Sequence, residues 1–570
     1  MTGSRPGSAP RRRGRLRRRP DAPGPSSGRE SGRELGRWEW GRCLILFGLA
    51  LVYLLPGIND PVNLYDEGIV AYGATRVASG EVPYRDFWTL YSPGSFYAVA
   101  ATYALFGTTL VAERALDTVI RALLAVFAYL VAARLTSRSV ALLAWAAVMV
   151  WMAYYTSSYE YWRVAYGANA FPALMACLAS IWTLSLYFER QHRGLLVGAG
   201  VVLGAAALFR HDFAGYAGVA EAVAVVLFSL LRGPSRAPAP VGARAGHATA
   251  LLAYLGSGVA LVVVPVAGYF IARVGIEELV SDLFVLPMTV FPRFRALPYP
   301  PWGWVTAATL YLPFVVFAGA SAIALIVARR RTDESLAYAL DIQMLTVFGL
   351  LGFNYARVRP DLMHTLPLFV PAVVLLVALV RGLPTSVVIA GGAGVSRAVS
   401  VVAMLAFGGL LVAPLWDRAR LLADPARLWP PVVRGLERAG RTLVPGDMAQ
   451  ALRYVRSVTA PDERIFIGVP THDRMLANEP MFYFLAERVS ATRYHELHPG
   501  VATTAPVQRE IAADLTRAHV AYIVVSRRFE REREPNASAR SSGIGILDDY
   551  IARNYSAVAR FGTYTIWKRR

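Results

Sequence analysis

The sequence predicts a polytopic α-helical membrane protein with a small soluble α/β domain at its C-terminal end. Of its 570 residues, 55% are hydrophobic and 17% are charged, and the mean hydropathy is +0.40. A soluble protein carries about a quarter charged residues. Apolar runs long enough to cross a bilayer recur up to Trp416 and then stop. The chain therefore divides into a membrane part and a soluble part.

The chain begins with an arginine-rich head. Residues 1–42 hold twelve arginines against four acidic residues, with many Pro, Gly and Ser residues between them. Such a composition predicts disorder. Basic residues before a first span keep that end in the cytoplasm, which we favour over a nucleic-acid-binding arm. Residues 1–41 are therefore predicted to be a disordered cytoplasmic tail, and no nucleic acid is expected as a partner.

Residues 42–416 are predicted to contain about 11–13 membrane spans. The runs are 42–57, 95–106, 119–135, 140–154, 168–188, 195–208, 213–231, 250–272, 305–328, 337–353, 366–380 and 398–414. Arginine-rich segments at 232–247 and 329–334 are predicted to be cytoplasmic. Seven predicted spans separate the head from Arg232, so counts from the two ends disagree by one. One span in the first half is therefore expected to be wrong.

Residues 417–570 are predicted to form an α/β domain outside the cytoplasm. Strand-like runs lie at 464–469, 521–526 and 564–569, and amphipathic helical patterns lie at 448–458, 481–488, 507–520 and 547–555. Alternation of this kind is typical of an α/β domain, and about 150 residues is a common domain size.

The first outer loop, residues 58–94, is unusually acidic for a chain of this composition. Asp66 and Glu67 lie about nine residues past the first apolar run, at the depth of the membrane surface. A carboxylate there can act as a general base toward an acceptor hydroxyl, or it can hold a divalent cation such as Mg or Mn. The alternative is a helix start, in which Asp66 is the N-cap and Glu67 favours the positive end of the helix.

The rest of this loop is rich in aromatic residues, which anchor segments at a membrane surface. We expect a short helix on the membrane, followed by a turn that closes off an outer cavity. Arg85, Asp86 and Tyr91 are its candidate substrate-binding residues.

Two further loops carry clusters of charge. Arginine forks suit phosphate, because they offer paired donors and keep their charge. Charges near a bilayer are costly, which favours a use, although a plain charged turn between helices is the alternative. The candidate substrate-binding residues are Arg210, Asp212, Arg357, Arg359, Asp361 and His364.

The first half of the chain resembles the membrane glycosyltransferases of the GT-C fold, which include protein O-mannosyltransferases and the lipid A aminoarabinose and lipopolysaccharide-core transferases. The resemblance rests on Asp66–Glu67 after the first span, on G-x-x-P-Y-R-D at 80–86, and on Ser92-Pro93-Gly94, where the aminoarabinose group has Lys-Pro-Pro. It covers about residues 40–215, and RVRPDLMH at 357–364 adds to it.

The resemblance implies an enzyme of a bacterial plasma membrane that uses a polyprenyl-phosphate sugar. Transfer would go to a hydroxyl of a glycan, lipid or protein acceptor, in one displacement with inversion. Asp66 would be the base, and Glu67 would assist it or bind a metal. Arg357, Arg359 and Arg210 would hold the donor phosphate, and membrane lipids would surround the spans.

Two other functions were weighed. A transporter or lipid flippase would place its ionisable residues midway along helices, whereas the acids here cluster in loops. A scaffold with a ligand-binding C-terminal domain would not need so many spans or an acidic first loop.

Overall fold

The computed structural model describes residues 2–3, 37–156, 166–167, 169–232, 240–301, 303–329, 332–380 and 385–570. Residues 4–36, most of the predicted tail, lie outside the described residues. The described part of the chain up to residue 422 is helical: α1 (Arg37–Leu54), α2 (Asp66–Ala78), α3 (Gly94–Phe106), α4 (Leu110–Leu135), α5 (Arg138–Thr156), α6 (Ala170–Arg190), α7 (Arg193–Phe209), α8 (His211–Arg232), α9 (Val241–Val274), α10 (Ile276–Val280), α11 (Leu286–Arg295), α12 (Trp304–Ala328), α13 (Asp333–Val358), α14 (Leu366–Val380) and α15 (Thr385–Leu422).

The predicted polytopic membrane protein is confirmed. Within the described residues, ten helices are long and apolar enough to cross a membrane, and α3 and α7 are shorter apolar helices. Each predicted apolar run coincides with one of these twelve helices. The exposed surfaces of α9 and α15 are largely apolar, as expected of helices that face lipid.

Ion pairs between helix ends define two faces of the bundle. Arg138 at the start of α5 pairs with Glu39 of α1 at 3.0 Å, and Arg232 at the end of α8 pairs with Asp333 of α13 at 2.9 Å. We call this arginine-rich side the inner face, in keeping with the excess of basic residues on the cytoplasmic side of membrane proteins. The opposite side, where α1 ends and α2 lies, is the outer face.

One predicted span is wrong, because α3 does not cross the membrane. Arg114, four residues into α4, donates hydrogen bonds to the carbonyls of Ile58 at 3.0 Å and Asp60 at 2.6 Å, so α4 begins on the face where α1 ends. The 13 residues of α3 reach only about 20 Å, short of the roughly 30 Å hydrocarbon core. Its two ends pack against Leu208 and, through Tyr103, against Glu113.

Removal of α3 from the count makes both ends of the chain agree. Six spans then separate Arg37, where α1 begins, from Arg232, which places both on the inner face. Within the described residues the bundle has eleven crossings, the ten long helices and α7, and this number lies inside the predicted range.

The C-terminal part is an α/β domain, as predicted. Its five strands are β1 (Arg464–Gly468), β2 (Val489–Ser490), β3 (Tyr522–Ser526), β4 (Tyr555–Phe561) and β5 (Tyr564–Arg569), in the order β2-β1-β3-β5-β4. Before the sheet lies the short helix α16 (Pro425–Leu428), and around it lie α17 (Gly446–Val458), α18 (Pro480–Ala486), α19 (Ala505–Arg517) and α20 (Ile546–Asn554). β1 runs parallel to β2 and β3, whereas β5 is antiparallel to β3 and β4. Neither edge strand was predicted, since β2 has only two residues and most side chains of β4 are exposed and do not alternate.

The two parts of the chain share one core at the outer face. Helix α2 lies between α3 and α18, and the Tyr72 and Tyr483 rings stack at 5.0 Å. Gly68 faces the backbone of Met481 so closely that a Cβ would lie 2.3 Å from the Met481 nitrogen. Only glycine allows this approach, and α2 is thereby fixed against the soluble domain.

Candidate active site at the outer face

Asp66 begins helix α2, but it is not the cap of that helix. The side chain of Asn63 accepts hydrogen bonds from the backbone amides of Tyr65 at 2.9 Å and Asp66 at 2.8 Å. Asn63 therefore supplies the capping acceptor that was the alternative role for Asp66. Among the described residues, the Asp66 carboxylate has one long contact, from Asn63 Nδ2 at 3.4 Å, and no ion pair.

The Asp66 side chain is solvent-exposed although protein surrounds it on most sides. We call the space in front of it the Asp66 recess, bordered by Tyr65, Arg295, Arg359, His364 and Glu496. Burial raises the pKa of Asp66 above its ordinary value, opposed by the charges of Arg295, Arg359 and His364 and by the Asn63 hydrogen bond. A carboxylate of this kind is unneutralised, accessible and more basic than usual, which suits proton abstraction.

Glu67 points the other way and does not fit its predicted role. It is fully buried, and Arg114 donates to both of its oxygens, at 2.6 Å from Nε and 2.9 Å from Nη2. The amide of Asn63 adds a third hydrogen bond at 2.9 Å. Glu67 therefore joins α2 to α4, and its carboxylate has no free oxygen for catalysis or for a metal.

The soluble domain contributes Glu496 to the recess. Its Oε1 accepts a hydrogen bond from Tyr65 Oη at 3.0 Å, and Arg295 Nη2 donates to the same hydroxyl at 3.0 Å. Burial raises the pKa of Glu496 to about 8, and Asp66 adds to this effect. Glu496 is therefore a neutral acid near pH 7, held beside the predicted base.

Glu496→Gln is expected to remove a pH-dependent loss of stability. The folded protein binds the Glu496 proton more tightly than the unfolded chain, so this group stabilises the fold below pH 4.5, and that contribution is lost as the pH rises to about 8. Thermal unfolding of the full-length protein in detergent, at pH 5 and pH 8, measures the effect. The wild type should lose more stability than the variant, by an amount on the order of a few kcal/mol.

An exposed residue of the same domain, Glu532, supplies the control. Glu532→Gln should retain the wild-type dependence on pH. Equal losses for the wild type and for Glu496→Gln would show that Glu496 is not neutral in the fold.

The loop after α13 reaches the recess, but its arginines are not equally available. Arg359 donates to both oxygens of Glu534 at 2.9 and 2.6 Å and to Asp361 at 2.7 Å, so its charge is already neutralised. Arg357 is exposed, its charge acts on Tyr216 and Tyr299, and no hydrogen bond or ion pair joins it to Asp66 among the described residues. The contacts therefore leave Arg359 little charge for a phosphate, and they do not hold Arg357 beside Asp66.

The charged residues between α7 and α8 are likewise already paired with each other. Arg210 forms a two-pronged pair with Asp212, at 2.9 and 2.7 Å, and donates to Tyr355 Oη at 3.1 Å. The guanidinium also lies 4.2 Å from the centre of the Tyr355 ring. This arrangement braces α8 against α13 at the edge of the recess and leaves little of the Arg210 charge for a ligand.

Arg85 and Asp86 lie away from the recess. They pair with each other at 2.7 Å near the surface, and Asp86 also accepts from the Val82 amide. Among the described residues, neither forms a hydrogen bond or an ion pair with Asp66. Tyr91 lies near the recess, since the charges of Asp66 and Glu496 act on its side chain.

Sequence patterns did not mark Arg295, Glu496 or Glu534. Arg295 lies in a segment that carries no motif, and the two acids lie in a domain to which no site was assigned. The one usable signal was that Arg295 lies in a segment, 273–302, that the topology places on the outer side.

A divalent cation does not fit well among the described residues. Glu67 is taken by Arg114, so Asp66 is the only carboxylate of the pair that faces the recess. Among the described residues, no group of three or more His, Cys, Asp or Glu side chains could hold a metal ion.

Comparisons with known proteins give matches by structure only. No family model matches the chain, and no curated protein matches it by sequence. The crystal structure of ArnT from Cupriavidus metallidurans in the apo state matches with a TM-score of 0.52 at 16% identity, over 93% of this chain and 98% of that one. The ArnT structure bound to undecaprenyl phosphate matches with a TM-score of 0.51 at 16% identity, over 92% and 98%. At this identity the matches bear on the fold alone.

Proposed function

We propose that this chain, which has the GT-C fold of membrane glycosyltransferases, moves a sugar from a polyprenyl-phosphate donor to an acceptor hydroxyl at the outer face of the membrane. The observation that carries the proposal is the Asp66 carboxylate, which is accessible, lacks an ion-pair partner among the described residues and has a raised pKa. The acceptor is a glycan, a lipid or a protein, and the reaction takes place at the plasma membrane of a bacterium.

The reaction that fits the recess is a single displacement. Asp66 removes the proton from the acceptor hydroxyl as its oxygen attacks the anomeric carbon. The bond from that carbon to the phosphate oxygen breaks, and its electron pair leaves with the polyprenyl phosphate. Attack opposite to the leaving group inverts the anomeric configuration. A lipid-linked donor also explains why the site lies at the end of a membrane bundle.

The predicted phosphate contacts are reassigned to Arg295. It lies at the end of α11, 8% exposed, and has no ion pair among the described residues. Among the described residues its guanidinium makes one hydrogen bond, from Nη2 to Tyr65 Oη. Its other two nitrogens are exposed to solvent. An arginine with free donors beside a base is suited to bind the donor phosphate.

The direct test is transfer by purified protein in membranes. Full-length protein is given radiolabelled undecaprenyl-phosphate sugars and a panel of acceptors, and labelled acceptor is measured. Absence of transfer with every donor and acceptor in the panel would contradict the proposal.

One observation bears on a transporter or flippase. Glu221 lies within the spanning helix α8 and is fully buried, a position at which ionisable residues often serve transport. Movement of labelled lipid across proteoliposomes that contain the protein, without transfer to an acceptor, would favour this alternative.

Arg295→Gln is expected to weaken donor binding about tenfold to a hundredfold, since a hydrogen bond to a charged group is lost. Arg295 lowers the pKa of the base Asp66, so its removal should raise that pKa. The acid limb of the pH profile, where kcat/KM falls as the base is protonated, should therefore move to higher pH. The KM for the donor and the pH profile of kcat/KM measure the two effects.

Two controls separate the charge from its surroundings. Arg293→Gln changes an exposed arginine of the same helix and should leave both readouts unchanged. Tyr65→Phe removes the hydroxyl that Arg295 contacts and should alter the pH limb less than Arg295→Gln does. An unmoved limb and an unchanged donor KM in Arg295→Gln would remove this residue from the site.

A further inference from the structure

The imidazole of His364 is held in one orientation by its neighbours. Its Nδ1 lies 2.7 Å from Asp361 Oδ1, and the same oxygen accepts from the His364 backbone amide at 3.1 Å. The ring lies 4.3 Å from that of Tyr355 and 6.4 Å from that of Phe291, on α13 and α11. A carboxylate on one nitrogen and rings packed around it leave little freedom to turn.

The edge of this ring that carries Nε2 is the one left open. The His364 side chain is 14% exposed. Its Nε2 forms no hydrogen bond among the described residues and is exposed to solvent. The charge of His364 acts on the Asp66 carboxylate, so the ring borders the recess. Asp361 Oδ1 accepts the hydrogen of Nδ1, so Nε2 is a donor when the imidazole carries a proton on both nitrogens.

The position of Asp361 is itself fixed. Arg359 donates to its second oxygen at 2.7 Å, and Arg359 is in turn held by Glu534 of the soluble domain. A chain of charged contacts therefore runs from the soluble domain through Arg359 and Asp361 to the imidazole. These contacts explain why the arginine of this loop is not free for a ligand and why the histidine is.

We propose that His364 Nε2 donates a hydrogen bond to the leaving phosphate of the donor, with Asp361 as the positioning residue that orients the ring. The inference rests on the proposed function and assigns His364 to the leaving group, opposite the base. As the bond from the anomeric carbon to the phosphate oxygen breaks, that oxygen takes the electron pair, and the Nε2 hydrogen bond stabilises the negative charge. The acceptor proton goes to Asp66, so atoms and charges balance.

Two variants of His364 separate this role from a structural one. In His364→Asn the side-chain amide takes the place of Nδ1, which keeps the contact with Asp361 but removes the donor at Nε2. In His364→Gln the amide takes the place of Nε2, which keeps a donor there but loses the anchored orientation. Thermal unfolding of both variants in detergent checks that each is folded.

The first readout is lipid binding by full-length protein in detergent, with undecaprenyl phosphate compared with undecaprenol. We expect His364→Asn to lose about tenfold to a hundredfold of the preference for the phosphate, and His364→Gln to retain more of it. The second readout is transfer, in which kcat should fall in the same order. Asp361→Asn should lower kcat while the variant still binds the phosphate better than His364→Asn does.

The outcomes distinguish the two levels of the proposal. If the wild type binds the phosphate better than the alcohol and transfers sugar, but His364→Asn does both equally well, His364 only anchors its loop and the inference is wrong. The same holds if His364→Asn alters only the acceptor KM. If the wild type itself shows no preference for the phosphate, the proposed donor class is wrong and the inference falls with it.

Discussion

Asp66→Asn is expected to lower the rate of sugar transfer by about 10²- to 10⁴-fold, the usual contribution of a positioned general base. The asparagine keeps the size and the contact with Asn63 but cannot take the acceptor proton. Donor binding should be unchanged or tighter, since a negative charge near the phosphate is removed. Single-turnover transfer and equilibrium binding of the lipid measure the two parts separately.

The matched control is Asp86→Asn, the same change in the same loop. Asp86 pairs with Arg85 near the surface and has no hydrogen bond or ion pair with Asp66 among the described residues, so its loss should alter transfer by less than about threefold. Equal activity of Asp66→Asn and Asp86→Asn would show that another group is the base.

The pH profile tests the same assignment independently. The base must be deprotonated, so kcat/KM rises with pH through the pKa of Asp66. Burial raises that pKa, so the acid limb should lie above about 3.9, the ordinary value of an aspartate. The limb should be absent from the residual activity of Asp66→Asn.

Glu67→Gln is expected to cost about 3–5 kcal/mol of folding stability, because it leaves the buried Arg114 guanidinium without its counter-charge. Both side chains are fully buried, and Arg114 also holds the carbonyls of Ile58 and Asp60. The loss should appear as a lower unfolding temperature in detergent. Asp86→Asn, which breaks an exposed pair, should cost at most about 1 kcal/mol.

A double variant shows whether the charge is the cause. Glu67→Gln combined with Arg114→Gln leaves no unpaired charge in the core, so it should be less destabilised than the sum of the single variants. A Glu67→Gln protein that unfolds like the wild type but fails to transfer sugar would show that Glu67 takes part in the reaction.

The fold could be predicted well because a bilayer restricts a chain to few structures. Apolar runs and arginine placement were sufficient for the spans, and the disagreement of the two counts already located an error in the first half. The sequence could not show that 95–106 stays on the outer face. Its composition is that of a short span, and only the contacts of Arg114 with the segment after α1 decide the matter.

The site was only partly predictable, for a different reason. Asp66 and Glu67 are adjacent in sequence and chemically alike, yet a helix turns about 100° per residue, so one faces the recess and the other the core. Arginines were recognised as phosphate binders by type, whereas availability depends on carboxylates that arrive from distant positions. Asp361 and Glu534 both form ion pairs with Arg359, whereas Arg295 has no ion-pair partner among the described residues.

The close approach of Gly68 to Met481 limits how the two parts of this protein can evolve. Helix α2 touches the soluble domain backbone to backbone, two residues from Asp66. A side chain at position 68, or a shift of the backbone at Met481, would displace this helix and with it the Asp66 carboxylate. The two parts of the chain must therefore change together at this contact.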